Sequence, residues 1–138
     1  MKISGVTKNK LRIIDNVNGS IMHALKRSDN DFKGFGEVYF SHVKYKTVKA
    51  WKRHTRMTMN LLVPVGLVKF VFYNQDQKVF EEYEIGPNNY FRLTVEPMIW
   101  FGFQGIGEGV NLVMNLANIE HEPDEVERID LCDIDYIW

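Results

Sequence analysis

The chain has 138 residues, 45% hydrophobic and 13% aromatic, with a formal net charge of −1. That length describes one domain around one core, since single domains run to roughly 100–150 residues, and the apolar fraction excludes disorder as the main state. No apolar run approaches the roughly 18–20 residues that cross a bilayer, the first residues lack the apolar middle of a signal peptide, and the lone Cys132 excludes an internal disulfide and a cysteine-based zinc cluster; a soluble cytoplasmic protein with no membrane partner is expected.

In chain order, a helical turn is expected within 21–27, after an opening with few strong core positions. From there the chain reads as strand after strand, at 35–44, 47–54, 57–65, 67–73, 79–85, 90–95, 99–103 and 110–116, all rich in β-branched and aromatic residues. Turn signals separate them: Val65-Gly66, then Asn74-Gln75-Asp76-Gln77, then Gly86-Pro87-Asn88-Asn89. Pro64 predicts that its strand ends there or runs on a sheet edge. A short helix is predicted to open at Pro123, where Asp124, Glu125 and Glu127 suit the positive end of a helix dipole. Antiparallel strands in this length leave a closed barrel or a double-sheet jelly roll, and both offer a pocket.

The small net charge hides a segregation. From Val38 to Gln75 there is no acidic residue, against Lys44, Lys46, Lys49, Lys52, Arg53, Arg56 and Lys69; from Glu108 to Trp138 nine carboxylates face the single cation Arg128. Such asymmetry points to an anionic partner, because the local field and not the total attracts a ligand. A nucleic-acid surface does not fit a pI near 6.4 without an RNA-binding signature, so no nucleic acid is expected. The basic stretch is left as a solvated strand face or as a phosphate cradle in which Lys49 or Arg53 meets an anionic group.

Strict alternation along KAWKRH places Ala50, Lys52 and His54 on one face and Lys49, Trp51 and Arg53 on the other. If the first face lines a pocket, burial lowers the lysine pKa and leaves the histidine near neutrality, the condition for proton transfer. The simpler reading puts both at a strand end in water. The histidines at 23, 42, 54 and 121 contain no His-x-His pair, so neither a metal nor another cofactor is expected. A nucleophilic triad is equally unsupported, since Cys132 lies in an acidic run. Trp51, Trp100, Phe101 and Phe103 could stack on a planar ligand or form core.

The run FGEVYFSHVKYKTVKAWKRHTRMTMNLLVPVGLVKFVFYN, residues 35–74, resembles the core of the dTDP-4-dehydrorhamnose 3,5-epimerase family of cupins and its relatives, the dTDP-sugar 3,4-ketoisomerases. DNVNGSIMHALKRSDNDF resembles the family's first strand and following segment, YFRLTVEPMIWFGF its segment before His-Gly-Phe, and IDYIW its tryptophan-ending tail, with Gly66 and Gly102-Phe103 setting the register. The resemblance implies an all-β, cupin-type jelly roll over residues 1–138, with a short C-terminal helix. It also implies a homodimer in which N-terminal strands add to the neighbour's sheet, and a nucleotide-sugar substrate in surface-polysaccharide synthesis.

In the epimerases a basic residue opens the motif, matching Lys49, and a histidine three positions on abstracts the proton next to the 4-keto group; that position is Lys52 here. The second strand histidine of the ketoisomerases matches His54. The later histidine before Gly-Phe is replaced by Phe101, and the expected tyrosine falls near His121. The resemblance thus implies His54 or Lys52 as base and Tyr39, Tyr45 or His121 as acid. Lys49, Arg53, Asn60, Lys69, Arg92 and Trp100 are the implied substrate contacts. Two functions follow: an isomerase or epimerase of a dTDP-4-keto-6-deoxy sugar, or a binding protein that keeps the pocket without turnover.

Overall fold

The computed structural model describes all 138 residues. Two five-stranded antiparallel sheets face each other. The first runs β1 (Val6–Lys10), β9 (Phe91–Val95), β6 (Met59–Val65), β11 (Leu112–Ala117), β4 (Glu37–His42). The second runs β12 (Val126–Arg128), β5 (Val48–His54), β10 (Trp100–Gly105), β7 (Val68–Asn74), β8 (Val79–Ile85), and a small hairpin joins β2 (Ile13–Ile14) to β3 (Ile21–Met22). This is the jelly roll and not the closed barrel, and each of the eight strands expected from residue 35 onward is present within a few residues of its expected bounds.

The core lies between the sheets, where Met59, Leu61 and Val63 of β6 meet Phe70 and Phe72 of β7, Phe101 and Phe103 of β10, and Leu93 and Val95 of β9. Alternation puts these side chains inward, and their burial is the main stabilising contribution, about 1.5–3 kcal/mol for each large side chain. A second cluster covers the outer face of the second sheet, where the C-terminal tail lays Ile134, Tyr136 and Trp138 over Trp51, Phe80 and Trp100.

Four expectations need correction. The segment from Pro123 is a single 3-10 turn, Pro123–Glu125, because Val126 is extended and enters β12. Ile21 and Met22 are strand, not a helical turn. Pro64 is not on a sheet edge, since β6 lies between β9 and β11; the strand does end one residue on, at Val65, where pairing with β9 has already stopped at Leu61 and the ladder to β11 shifts between Leu62 and Val65. The opening residues are not short of core positions: Ile3, Val6 and Leu11 are buried, and β1 pairs with β9 from Val6↔Val95 to Lys10↔Phe91.

One further irregularity positions the site. Phe101 pairs with Lys52 but Phe103 pairs with Lys49, so three steps on β5 face two on β10. Opposed residues share a face, so Lys49 joins Lys52 and His54 on the interior side, above Phe103 and Phe101. Ala50 turns outward instead, and a Cβ at Gly102 would stand 2.4 Å from that of Ala50 and 2.8 Å from the Trp138 ring. Strict alternation assigned Lys49 and Ala50 to the wrong faces because it cannot register an extra residue.

Candidate active site

A cavity of about 360 Å³ opens between the β4 edge of the first sheet and the β5–β12 edge of the second, lined by Glu37, Tyr39, Lys52, His54, His121, Val126 and Arg128. Each lining group follows from the elements behind it. On β4, Glu37 and Tyr39 point inward while Val38 and Phe40 point out. On β5, Lys52 and His54 sit two residues apart on the interior face. Pairing of β12 with β5 sets Val126 opposite His54 and Arg128 opposite Lys52.

His54 is 3% exposed, stacked on Phe101 with ring centroids 6.0 Å apart. Its Nδ1 is hydrogen-bonded to Oε1 of the fully buried Glu125, whose Oε2 accepts the backbone N–H groups of Arg56 at 3.2 Å and Met57 at 3.3 Å. Its Nε2 has no protein partner. Burial pulls the His54 pKa below its ordinary value against the opposing pull of Glu125, with Lys52 and His121 adding to the lowering. Burial also pushes Glu125 upward, but its bonds to His54 and to the two N–H groups outweigh that and hold it below the usual carboxylate range. The pair is thus a carboxylate accepting from Nδ1–H and a neutral imidazole with a free lone pair on Nε2, the state of a general base.

Beside it, Lys52 lies over the Phe101 ring, 5.2 Å from its centroid. Burial, reinforced by Arg128 and Lys49 and opposed by Glu125, lowers its pKa to about 8. Tyr39 accepts a hydrogen bond from Asn115 Nδ2 at 2.9 Å, and burial, with Glu37 and Glu125 near, pushes its hydroxyl upward, so it stays protonated and able to donate. His121 lies at the exposed rim, its backbone N–H bound to Glu37 Oε1 at 2.8 Å. Lys52 and Arg128 directly opposed across a strand pair repel each other, an arrangement an anion would relieve.

All four candidate acid–base residues, His54, Lys52, Tyr39 and His121, therefore line one cavity. The six candidate substrate contacts do not. Lys49 shares the interior face, but its Nζ donates to the His42 carbonyl at 2.5 Å. Arg53 stacks on Trp100 at 4.7 Å and pairs with Glu127, and Trp100 donates to Gln75 at 3.3 Å, all on the outer face of the second sheet. Lys69 is on that face too, 5.0 Å from the Tyr136 ring centroid. Asn60 accepts from Thr94 at 2.7 Å on the outer face of the first sheet. Arg92 lies next to Thr94 beside a larger polar cavity of about 580 Å³, spent on Asp29, Asp31 and the Ala24 carbonyl. Tyr45 stands outside the cavity, bridged to Gly105.

Sequence reasoning missed Glu125, Glu37 and Arg128. The acidic segment 122–127 does not stand apart from the basic strand: Glu127 meets Arg53, Glu122 meets Arg56 at 2.5 Å, and Glu125 meets His54. Opposite charge runs in EPDEVER and KRHTR were the available signal.

Against solved structures, the chain is 35% identical over 99% of its length to a dTDP sugar isomerase from Desulfovibrio desulfuricans, 92% of which is covered, with a TM-score of 0.93. The chain belongs to the dTDP-sugar isomerase family. Less similar solved structures share the fold. The 3,4-ketoisomerase QdtA from Thermoanaerobacterium thermosaccharolyticum, solved as a His-to-Asn variant with TDP-4-keto-6-deoxyglucose, is 19% identical over 93% of this chain and 90% of its own, at a TM-score of 0.79. The dTDP-4-dehydrorhamnose 3,5-epimerase from Sulfolobus tokodaii is 16% identical over 96% of this chain and 81% of its own, at 0.84. No protein-family model and no curated protein sequence matches the chain. Within this family the cavity holds a lysine where the resemblance leads one to expect the base histidine, and keeps the second histidine, His54.

Proposed function

We propose that the protein isomerises a dTDP-4-keto-6-deoxy sugar by removing a proton from the carbon beside the ketone and returning it. The observation that carries this reading is the His54–Glu125 pair: the histidine lines the same cavity as Lys52, Tyr39 and Arg128, and its buried Nε2 has no protein partner. A C–H bond next to a carbonyl gives up its proton when a base faces it and a donor stabilises the enolate oxygen. His54 Nε2 is the base, Glu125 holds its tautomer, and Tyr39 or protonated Lys52 meets the oxygen. His121 at the rim is a second proton carrier. Arg128 on the cavity wall meets the diphosphate, where charge-assisted bonds from cations to phosphate are strong.

The same proposal includes a cytoplasmic homodimer. Its support is the unpaired β4 edge and the apolar patch beside it, where Val38 and Phe40 are 36% and 55% exposed.

Incubation with dTDP-4-keto-6-deoxyglucose in deuterated water, followed by NMR, tests the reading. Deuterium is expected at C3, with a changed product spectrum. Binding without any exchange would instead make the protein a sugar-nucleotide binder.

A further inference from the structure

Lys52 is not needed as a base, since His54 fills that role two residues away on the same face. Nor is it tied to the fold. Its ammonium group has a ring beneath it and cations at Arg128 and Lys49 near it; Glu37 shares the cavity wall and Glu125 is bonded to His54, and neither forms an ion pair with it. A half-buried lysine with no ion-pair partner and a second cation directly opposite it is the environment that makes a lysine a nucleophile toward carbonyl carbon. We propose that Lys52 acts as a covalent catalyst, condensing with the ketone of the bound sugar to form a protonated imine before the neighbouring C–H proton is removed. This rests on the reading above that the substrate carries a ketone.

The step balances without an oxidant, reductant or metal. The Nζ lone pair attacks the carbonyl carbon, the π pair moves to the oxygen, and that oxygen takes a proton, for which the Tyr39 hydroxyl on the cavity wall is available. One proton then passes from the attached nitrogen to this hydroxyl, which leaves as water, and the nitrogen lone pair forms the C=N bond of the iminium, whose positive carbon withdraws electrons from the adjacent C–H bond. His54 Nε2 takes the proton, giving an enamine; reprotonation and addition of water return the ketone and the free amine. An amine whose pKa has fallen to about 8 is partly unprotonated near neutrality, as the first step requires. Replacing a base histidine by lysine is then a change in how the C–H bond is made acidic, not a loss of function.

The test incubates the full-length protein with dTDP-4-keto-6-deoxyglucose and sodium cyanoborohydride, which reduces an imine to a stable amine, and maps the adduct by peptide mass spectrometry. Labelling at Lys52 is expected at about tenfold or more above any other lysine, with trypsin no longer cleaving there, and it should vanish in Lys52→Arg. A parallel measurement needs no variant: in heavy-oxygen water an imine exchanges the ketone oxygen, so enzyme-dependent uptake into the sugar is expected. Deuterium exchange at carbon with neither adduct nor oxygen uptake would overturn covalent catalysis and leave the isomerase reading intact. An adduct without deuterium exchange would uphold the lysine chemistry and remove the isomerase reading, and the absence of all three signals removes both.

Discussion

Glu125 and His54, 71 positions apart in the chain, form a buried hydrogen-bonded pair in which the carboxylate also accepts two backbone N–H groups from the loop after β5. Glu125 therefore fixes the histidine tautomer and caps the end of the strand that carries it. In Glu125→Gln the amide nitrogen would point a donor at those N–H groups or at the ring, so one bond is lost either way. A fall in kcat of about 10- to 100-fold and a loss of about 1–3 kcal/mol of stability are expected, read by steady-state kinetics and urea unfolding. Unchanged kcat in a folded variant would exclude Glu125 as a positioning residue.

Acid should weaken the fold through the same pair. His54 is held below its ordinary value of 6.5 by burial, and Glu125 below 4.5 by its hydrogen bonds, so the unfolded chain binds more protons at both sites. Stability from His54 is full above 6.5 and declines as pH falls beneath it; that from Glu125 declines below 4.5. The facing charges are Lys52 and His121, both of which disfavour protonated His54. Urea midpoints measured across this range should fall with pH, and His54→Gln should remove the decline just below 6.5.

Lys52 costs the fold stability, because its charged form is desolvated among other cations. Lys52→Met keeps the aliphatic stem over Phe101 and removes the charge. It is expected to raise stability at neutral pH by about 1–2 kcal/mol while abolishing turnover, a trade common at active sites. A destabilised Lys52→Met would mean that the amine has a partner in solution that stabilises it.

Much of this was legible in the chain. Strands β4 to β11 announced themselves through β-branched and aromatic runs cut by turn residues, and all four acid–base candidates came from reading one strand and its resemblance. What alternation could not supply was anything set by a shifted register or by distant pairing. The irregularity opposite Gly102 turns Lys49 inward and Ala50 outward. Arg53, Lys69 and Trp100 read as pocket residues because cations and aromatics suit a nucleotide, yet the tail that covers their face, with Tyr136 and Trp138, is brought there by tertiary packing alone. Glu125 and Arg128 reach the cavity only because β12 pairs with β5.

The apolar patch on β4 makes the dimer testable. Phe40 lies opposite Met114 on the outer face of an edge strand, so a charge there opposes association without touching the core. Phe40→Glu is expected to convert the dimer to a monomer in sedimentation experiments, with its thermal transition less dependent on protein concentration. A native protein that sediments as a monomer would contradict the dimer outright.

The central claim is that His54 Nε2 removes a proton beside a sugar ketone. Its most direct measurement follows deuterium entry into dTDP-4-keto-6-deoxyglucose for the native protein and His54→Gln side by side, at saturating sugar and with binding checked by calorimetry. The account predicts exchange at C3 by the native protein and at least about a 100-fold slower rate in the variant, with affinity little changed. Equal exchange rates in the two proteins, or tight binding with no exchange in either, would contradict it.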